Sequence, residues 1–133
     1  MTAYRYDGTF AGFLTCAWDA LEGGTEPSAF LLPGDGATLW EERQVAADQG
    51  RARRLYAALS RRVSPAFQKL IARGFLTCLP EKELALLTLI RRGLREGDRV
   101  RLDLSDPVMA RVNLALTKMW TEWDHLKGFV RFS

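Results

Sequence analysis

The sequence predicts an α+β domain, mainly helical, with about five helices and a small sheet of three or four short strands. Three observations carry that prediction. Apolar residues recur at helical spacing over several long stretches. Short β-like segments sit near both ends of the chain and around Phe30. Capping residues and Gly or Pro breaks punctuate the chain between them. With 133 residues, 47% hydrophobic and 26% charged, one domain over 1–133 can bury a real core without disulfides or metal, and disorder is excluded.

Ala3-Tyr4-Arg5-Tyr6 alternates like a short strand and Asp7-Gly8 closes it as a turn. Thr9 is then the expected N-cap of a helix carrying Phe10, Phe13, Leu14, Ala17 and Leu21, stopped by Gly23-Gly24. Tyr6, Phe10 and Trp18 are expected in or near the core. Residues 25–37 hold two prolines and two glycines around Phe30-Leu31-Leu32, so a loop with a three-residue strand inside it is expected. Leu39 to Ala46 can form a strand, with Asp48 capping the next helix.

That helix places Ala52, Leu55, Tyr56, Leu59 and Val63 on one face and Arg53, Arg54 and Arg61 on the other. Ser64-Pro65 restarts the helix, since Ser caps and Pro suits the first helical position; Phe67, Leu70, Ile71 and Phe75 bury the new one. Pro80 ends it, and Glu81 to Glu96 forms another on Leu87, Ile90 and Leu94, closed by Gly97. Arg99 to Leu104 alternates and is expected as a strand or an extended linker. Asp106-Pro107 opens the longest helix, with Val108, Val112, Ala115, Met119 and Leu126 as its stripe and Trp123 alongside. Gly128 is expected to end it, before a strand over Phe129-Val130-Arg131-Phe132. The chain stops directly after those residues, from which either a fragment, the N-terminal part of a longer protein, or a docked terminal strand is expected.

No apolar run approaches the roughly 18 residues of a membrane span, and no signal-peptide core follows Met1, so a cytoplasmic protein is expected. Cys16 and Cys78 lie within apolar stretches and are expected as buried free thiols. The absence of a Cys-x-x-Cys pair or a Cys/His cluster argues against zinc and iron–sulfur sites, and no metal or other cofactor is expected.

Charge is distributed unevenly behind a net +3. Residues 1–50 carry two arginines against eight acids, a net −6; residues 51–101 carry thirteen Arg or Lys against four acids, a net +9; the rest balances. Arg51, Arg53, Arg54, Arg61 and Arg62 fall on one expected helix, Lys69 and Arg73 on the next, and Arg91, Arg92 and Arg95 on a third. Arginine's planar fork suits phosphate, and a patch neutralising several phosphates binds nucleic acid with steep salt dependence. The plainer reading is a solvated face that serves solubility.

Catalytic constellations are missing. Gly8-Thr-Phe-Ala-Gly12 lacks the Lys-Ser/Thr of a phosphate-binding loop, and Glu41-Glu42 on a strand point to opposite faces. His125 is the only histidine. On a helix it shares a side with Glu122, which could orient an imidazole for general-base work; a surface pair beside the helix end is the plainer reading.

Tyr4-Arg-Tyr-Asp-Gly-Thr-Phe-Ala-Gly-Phe-Leu14, Val45-Ala-Ala-Asp48 with Ser60-Arg-Arg-Val-Ser64, Asp106-Pro-Val108, and Glu122-Trp-Asp-His125-Leu-Lys-Gly-Phe-Val-Arg-Phe132 together resemble an uncharacterised bacterial family assigned to DNA metabolism and repair. The blocks span nearly the whole chain, in order. Members of that family are typically longer, and are associated with a radical-SAM DNA repair protein and with uracil-DNA-glycosylase-like domains. The resemblance therefore implies a role in DNA repair with those partners, but no reaction, since the family has no established catalytic residues. Glu122, His125, Lys127, Gly128 and Arg131 match its strongest block without an assigned role. The radical-SAM cysteine motif is absent here, so the partner's chemistry is not this chain's own. The leading expectation is an accessory domain that contacts DNA through its arginine helices. A protein-interaction module that never touches DNA is the second, and part of an enzyme whose site needs residues beyond 133 is the third.

Overall fold

A computed structural model describes the backbone of residues 1–130 and the side chains of residues 1–122. Among these, three strands form a parallel sheet in the order β2-β1-β3: β1 (Thr2–Arg5), β2 (Pro27–Leu31) and β3 (Glu41–Gln44). Six helices surround it: α1 (Phe10–Leu21), α2 (Gln49–Arg62), α3 (Pro65–Phe75), α4 (Lys82–Glu96), α5 (Arg99–Leu102) and α6 (Pro107–Val130). The mainly helical α+β class is as the sequence predicts. No helix of the described residues is long and apolar enough to cross a membrane.

Local chemistry explains most element starts. Thr9, Asp48 and Ser64 each sit in extended backbone and accept a hydrogen bond from the amide three residues on, those of Gly12, Arg51 and Phe67. Asp106 does the same for Met109. Gly8 takes the turn between β1 and α1 at φ +84°, a conformation that side chains disfavour.

Central strand β1 is covered on both faces, so Ala3 and Tyr4 are fully buried despite pointing opposite ways. Edge strand β3 is exposed along its whole length and reads Glu-Glu-Arg-Gln, charges that oppose pairing with another chain. β2 and β3 flank β1 without a helix between them; residues 32–40 make the crossing. Arg5 organises that crossing. Its guanidinium donates to the carbonyls of Leu32, Asp35 and Gly36 at 2.7, 2.9 and 3.0 Å and twice to Glu42, so all its donors are used. Lysine cannot reproduce this fork. Arg5→Lys is expected to leave the helices intact and open residues 32–40 to limited proteolysis, read by mass spectrometry; an unchanged cleavage pattern would count against this role.

One aromatic cluster joins sheet to helices. Phe13 of α1 stacks on Phe75 of α3 with centroids 5.4 Å apart and meets Phe30 of β2 at 6.0 Å. Tyr6 is buried and donates to Glu83 Oε2 of α4 at 2.6 Å; burial, then that hydrogen bond, raises its phenol well above its usual range. Gly93 of α4 admits the Phe67 ring, since a Cβ there would lie 2.6 Å from it.

Four expectations are corrected. Arg99 to Leu104 is not a strand or extended linker: Arg99–Leu102 is the short helix α5, which buries Val100 and leaves Leu102 and Leu104 exposed. Gly97 at φ +85° ends α4, and Asp98 then pairs with Arg101 across a helical turn, so the alternation there reflects no sheet. Gly128 does not end the last helix, and Phe129 and Val130 are helical rather than strand, because α6 runs through to Val130; an interior Gly costs a helix only about 1 kcal/mol. Arg131 and Phe132 of the expected strand lie outside the described residues. Cys78 is exposed, since it lies in the turn after α3, whereas Cys16 is buried and its thiol is pushed up to about 12, first by that burial. Finally, the apolar face of α6 is wider than the expected stripe: Val112 is buried and Val108, Ala115 and Met119 are half-buried as expected, Met109 and Leu116 are buried beside them, and the side chain of Leu126 lies outside the described residues.

Candidate nucleic-acid interface

The environments of the ten basic residues singled out in the sequence divide them. α2 is amphipathic: Ala52, Leu55 and Leu59 are buried, while Arg51, Arg53, Arg54, Arg61 and Arg62 are exposed. Arg54 and Arg61 stand seven residues apart, nearly in line along the helix. Arg51 pairs with the capping Asp48 at 3.6 Å. Arg53, Arg54, Arg61 and Arg62 have no ion-pair partner among the described residues.

α4's arginines are differently employed. Arg91 pairs with Glu26 beside β2. Arg92 reaches three carboxylates, Glu96 at 3.1 Å, Asp106 at 2.9 Å and Asp103 at 3.7 Å, and so ties the end of α4 to the start of α6. Its NH1 lies against Asp106 as an ion pair and not as an aligned hydrogen bond. Arg95 is 72% exposed and approaches Glu96 at 3.6 Å. Arg91 and Arg92 are thus structural cations, already neutralised within the fold.

These ion pairs are expected to make the fold acid-sensitive. The Arg92 hydrogen bond holds Glu96 below the usual carboxylate range, and the Arg101 hydrogen bond, then Ser64, does the same for Asp98. A carboxylate that is more acidic when folded contributes stability above its unfolded value, near 4, and loses it as pH falls through the lower folded value. The thermal midpoint is therefore expected to fall progressively below about pH 4. A midpoint unchanged down to about pH 2 would contradict this.

α3 contributes Lys69 and Arg73, both exposed and one turn apart. Arg73 does not stand alone: its guanidinium lies 5.6 Å from the centre of the Trp120 ring of α6. Sequence reasoning passed over Trp120, Arg101 and Asn113, which share a groove with Lys69 and Arg73. A signal existed for Trp120, since it follows buried Val112 and Leu116 at four-residue steps and so belongs at the rim of the apolar face.

Two other concavities are less suited to a polyanion. One lies between α1, the end of β3 and the start of α2. Its volume is about 570 Å³, but its charges answer one another, Arg43 with Asp19 at 2.6 Å and Arg51 with Asp48 at 3.6 Å. The second is an apolar groove beside Leu76, Cys78 and Leu114, with Glu122 at its rim. Leu76 and Leu114 are 72% and 71% exposed.

Glu122 is exposed. The side chains of His125, Lys127 and Arg131, and with them the Glu122–His125 pair, lie outside the described residues, as does any side-chain role for Gly128. The described residues hold no group of three or more His, Cys, Asp or Glu placed to bind a metal. Comparison with protein-family models, with curated proteins and with solved structures gives no match.

Proposed function

We propose that this domain is an accessory module of bacterial DNA repair or DNA metabolism that holds the nucleic-acid backbone on the exposed face of α2. The observation that carries the reading is the set of Arg53, Arg54, Arg61 and Arg62, exposed along one helix and unpaired among the described residues. Arg54 and Arg61 stand nearly in line along the helix with Arg53 and Arg62 to either side, and unneutralised arginines so exposed can hold phosphates and release counterions on binding. Backbone contacts of this kind position a nucleic acid without reading its sequence. The family resemblance supplies the DNA-repair setting and the partners, a radical-SAM protein and a uracil-DNA-glycosylase-like domain.

The test is fluorescence anisotropy with a labelled duplex at low salt. Arg54→Ala/Arg61→Ala is expected to weaken binding by roughly tenfold or more. Arg95→Ala, whose charge already faces Glu96, is expected to change it little. Equal losses in both variants would refute the division between α2 and α4.

A second reading draws on the groove beside Leu76 and Leu114, whose exposed leucines favour a docking role. Salt-insensitive binding to the radical-SAM partner, with no response to DNA, would favour it over the first.

A further inference from the structure

The groove between α3, α5 and α6 combines two features, unneutralised cations and an exposed aromatic ring. Lys69 and Arg73 enter it from α3, Arg101 from α5, and Asn113 and Trp120 from α6, around a volume of about 440 Å³. Among the described residues three cations line it and no carboxylate does. Arg101 has a counter-ion in Asp98, 3.0 Å away on its own helical turn. Lys69 and Arg73 have none among the described residues. Cations gathered without counter-ions repel one another, and an anion entering between them relieves that repulsion.

Trp120 is the second feature. It is 46% exposed, although neighbouring Leu116 is buried. The guanidinium of Arg73 occupies one side of the indole, and one cation cannot cover both faces of a ring. A flat apolar surface thus stands beside unneutralised cations. Those are complementary to the two halves of a nucleotide, the base and its phosphate.

We infer that this groove binds single-stranded nucleic acid, with an unpaired base stacked on Trp120 and its phosphate held by Lys69 and Arg73. Duplex DNA cannot use the groove in this way, because its bases are already stacked on each other and their faces are closed. Asn113 offers both a donor and an acceptor to the edge of the base. The inference rests on the nucleic-acid reading of α2 for its class of polymer, and its experiment separates the two.

Anisotropy of a labelled oligo-dT strand and of a duplex of the same length is measured for the wild type, Trp120→Ala, Trp120→Phe and Lys69→Gln/Arg73→Gln. Trp120→Ala is expected to weaken single-strand binding about tenfold while leaving duplex binding within about twofold. Trp120→Phe retains a stacking ring and is expected to keep most of the single-strand affinity, which separates lost stacking from lost folding. Lys69→Gln/Arg73→Gln is expected to flatten the salt dependence for the single strand. Single-strand binding indifferent to Trp120→Ala, or an equal loss with duplex, would overturn the inference even if α2 binds duplex. Loss confined to the single strand in Trp120→Ala, with Arg54→Ala/Arg61→Ala silent on duplex, would uphold the groove and sink the α2 reading. Absence of binding to either polymer at low salt would overturn both.

Discussion

Phe13→Ala is expected to destabilise the domain by about 3–5 kcal/mol, a large share of the stability usual for a domain. Phe13 is fully buried, and its ring joins α1 to two other elements, with centroids 6.4 Å from Phe10 of its own helix, 6.0 Å from Phe30 of β2 and 5.4 Å from Phe75 of α3. Removing it exposes no new surface that could collapse easily, because α1, β2 and α3 each hold their own backbone contacts. The cost therefore includes a cavity as well as lost transfer energy. Equilibrium denaturation in urea checks it, with Leu39→Ala as a reference: Leu39 is fully exposed, and its loss is expected to stay within about 0.5 kcal/mol. A Phe13→Ala loss below about 1 kcal/mol would mean that the aromatic cluster does not hold the sheet to the helices.

What the sequence made legible was local. Thr9, Asp48, Ser64 and Asp106 were readable as caps because a cap and its amide lie three residues apart. The apolar face of α2 was readable for a similar reason, since the period of the helix is written directly into residues 52–63. What stayed hidden depends on residues far apart in the chain. Arg91 meets Glu26 from 65 positions away, so its neutralisation leaves no trace in any short window. Glu96 is Arg92's neighbour within α4, but Asp103 and Asp106 reach it only when the chain folds back to begin α6. For this reason ten basic residues looked like one patch and divide into an open set on α2, a groove set on α3, and largely internal clamps on α4. Strand order β2-β1-β3 was hidden for the same reason, as was Arg5's hold on the 32–40 crossing. The α5 error had a different origin: Val100, Leu102 and Leu104 alternate by coincidence, and a four-residue helix is too short for periodicity to show.

The larger expected effect on binding belongs to Arg53→Ala/Arg54→Ala/Arg61→Ala/Arg62→Ala. All four side chains are exposed, and Ala is the best helix former, so α2 is expected to stay folded. Circular dichroism and the urea midpoint verify that point before binding is read. Each lost phosphate contact removes about 0.9 from the slope of log affinity against log salt, so the slope is expected to flatten by about 3–4. Affinity at low salt is expected to fall on the order of 100-fold. Arg92→Gln would be a poor substitute for this experiment, since it breaks the α4–α6 clamp and confuses binding with stability.

The decisive measurement is the salt dependence of duplex binding by the wild type and the four-arginine variant side by side. If α2 is the phosphate-binding face, the wild type binds with a steep negative slope and the variant loses most of that slope while remaining folded. A wild type that fails to bind duplex even at low salt, or a folded variant with an unchanged slope, would contradict it and return the α2 arginines to a solvated surface.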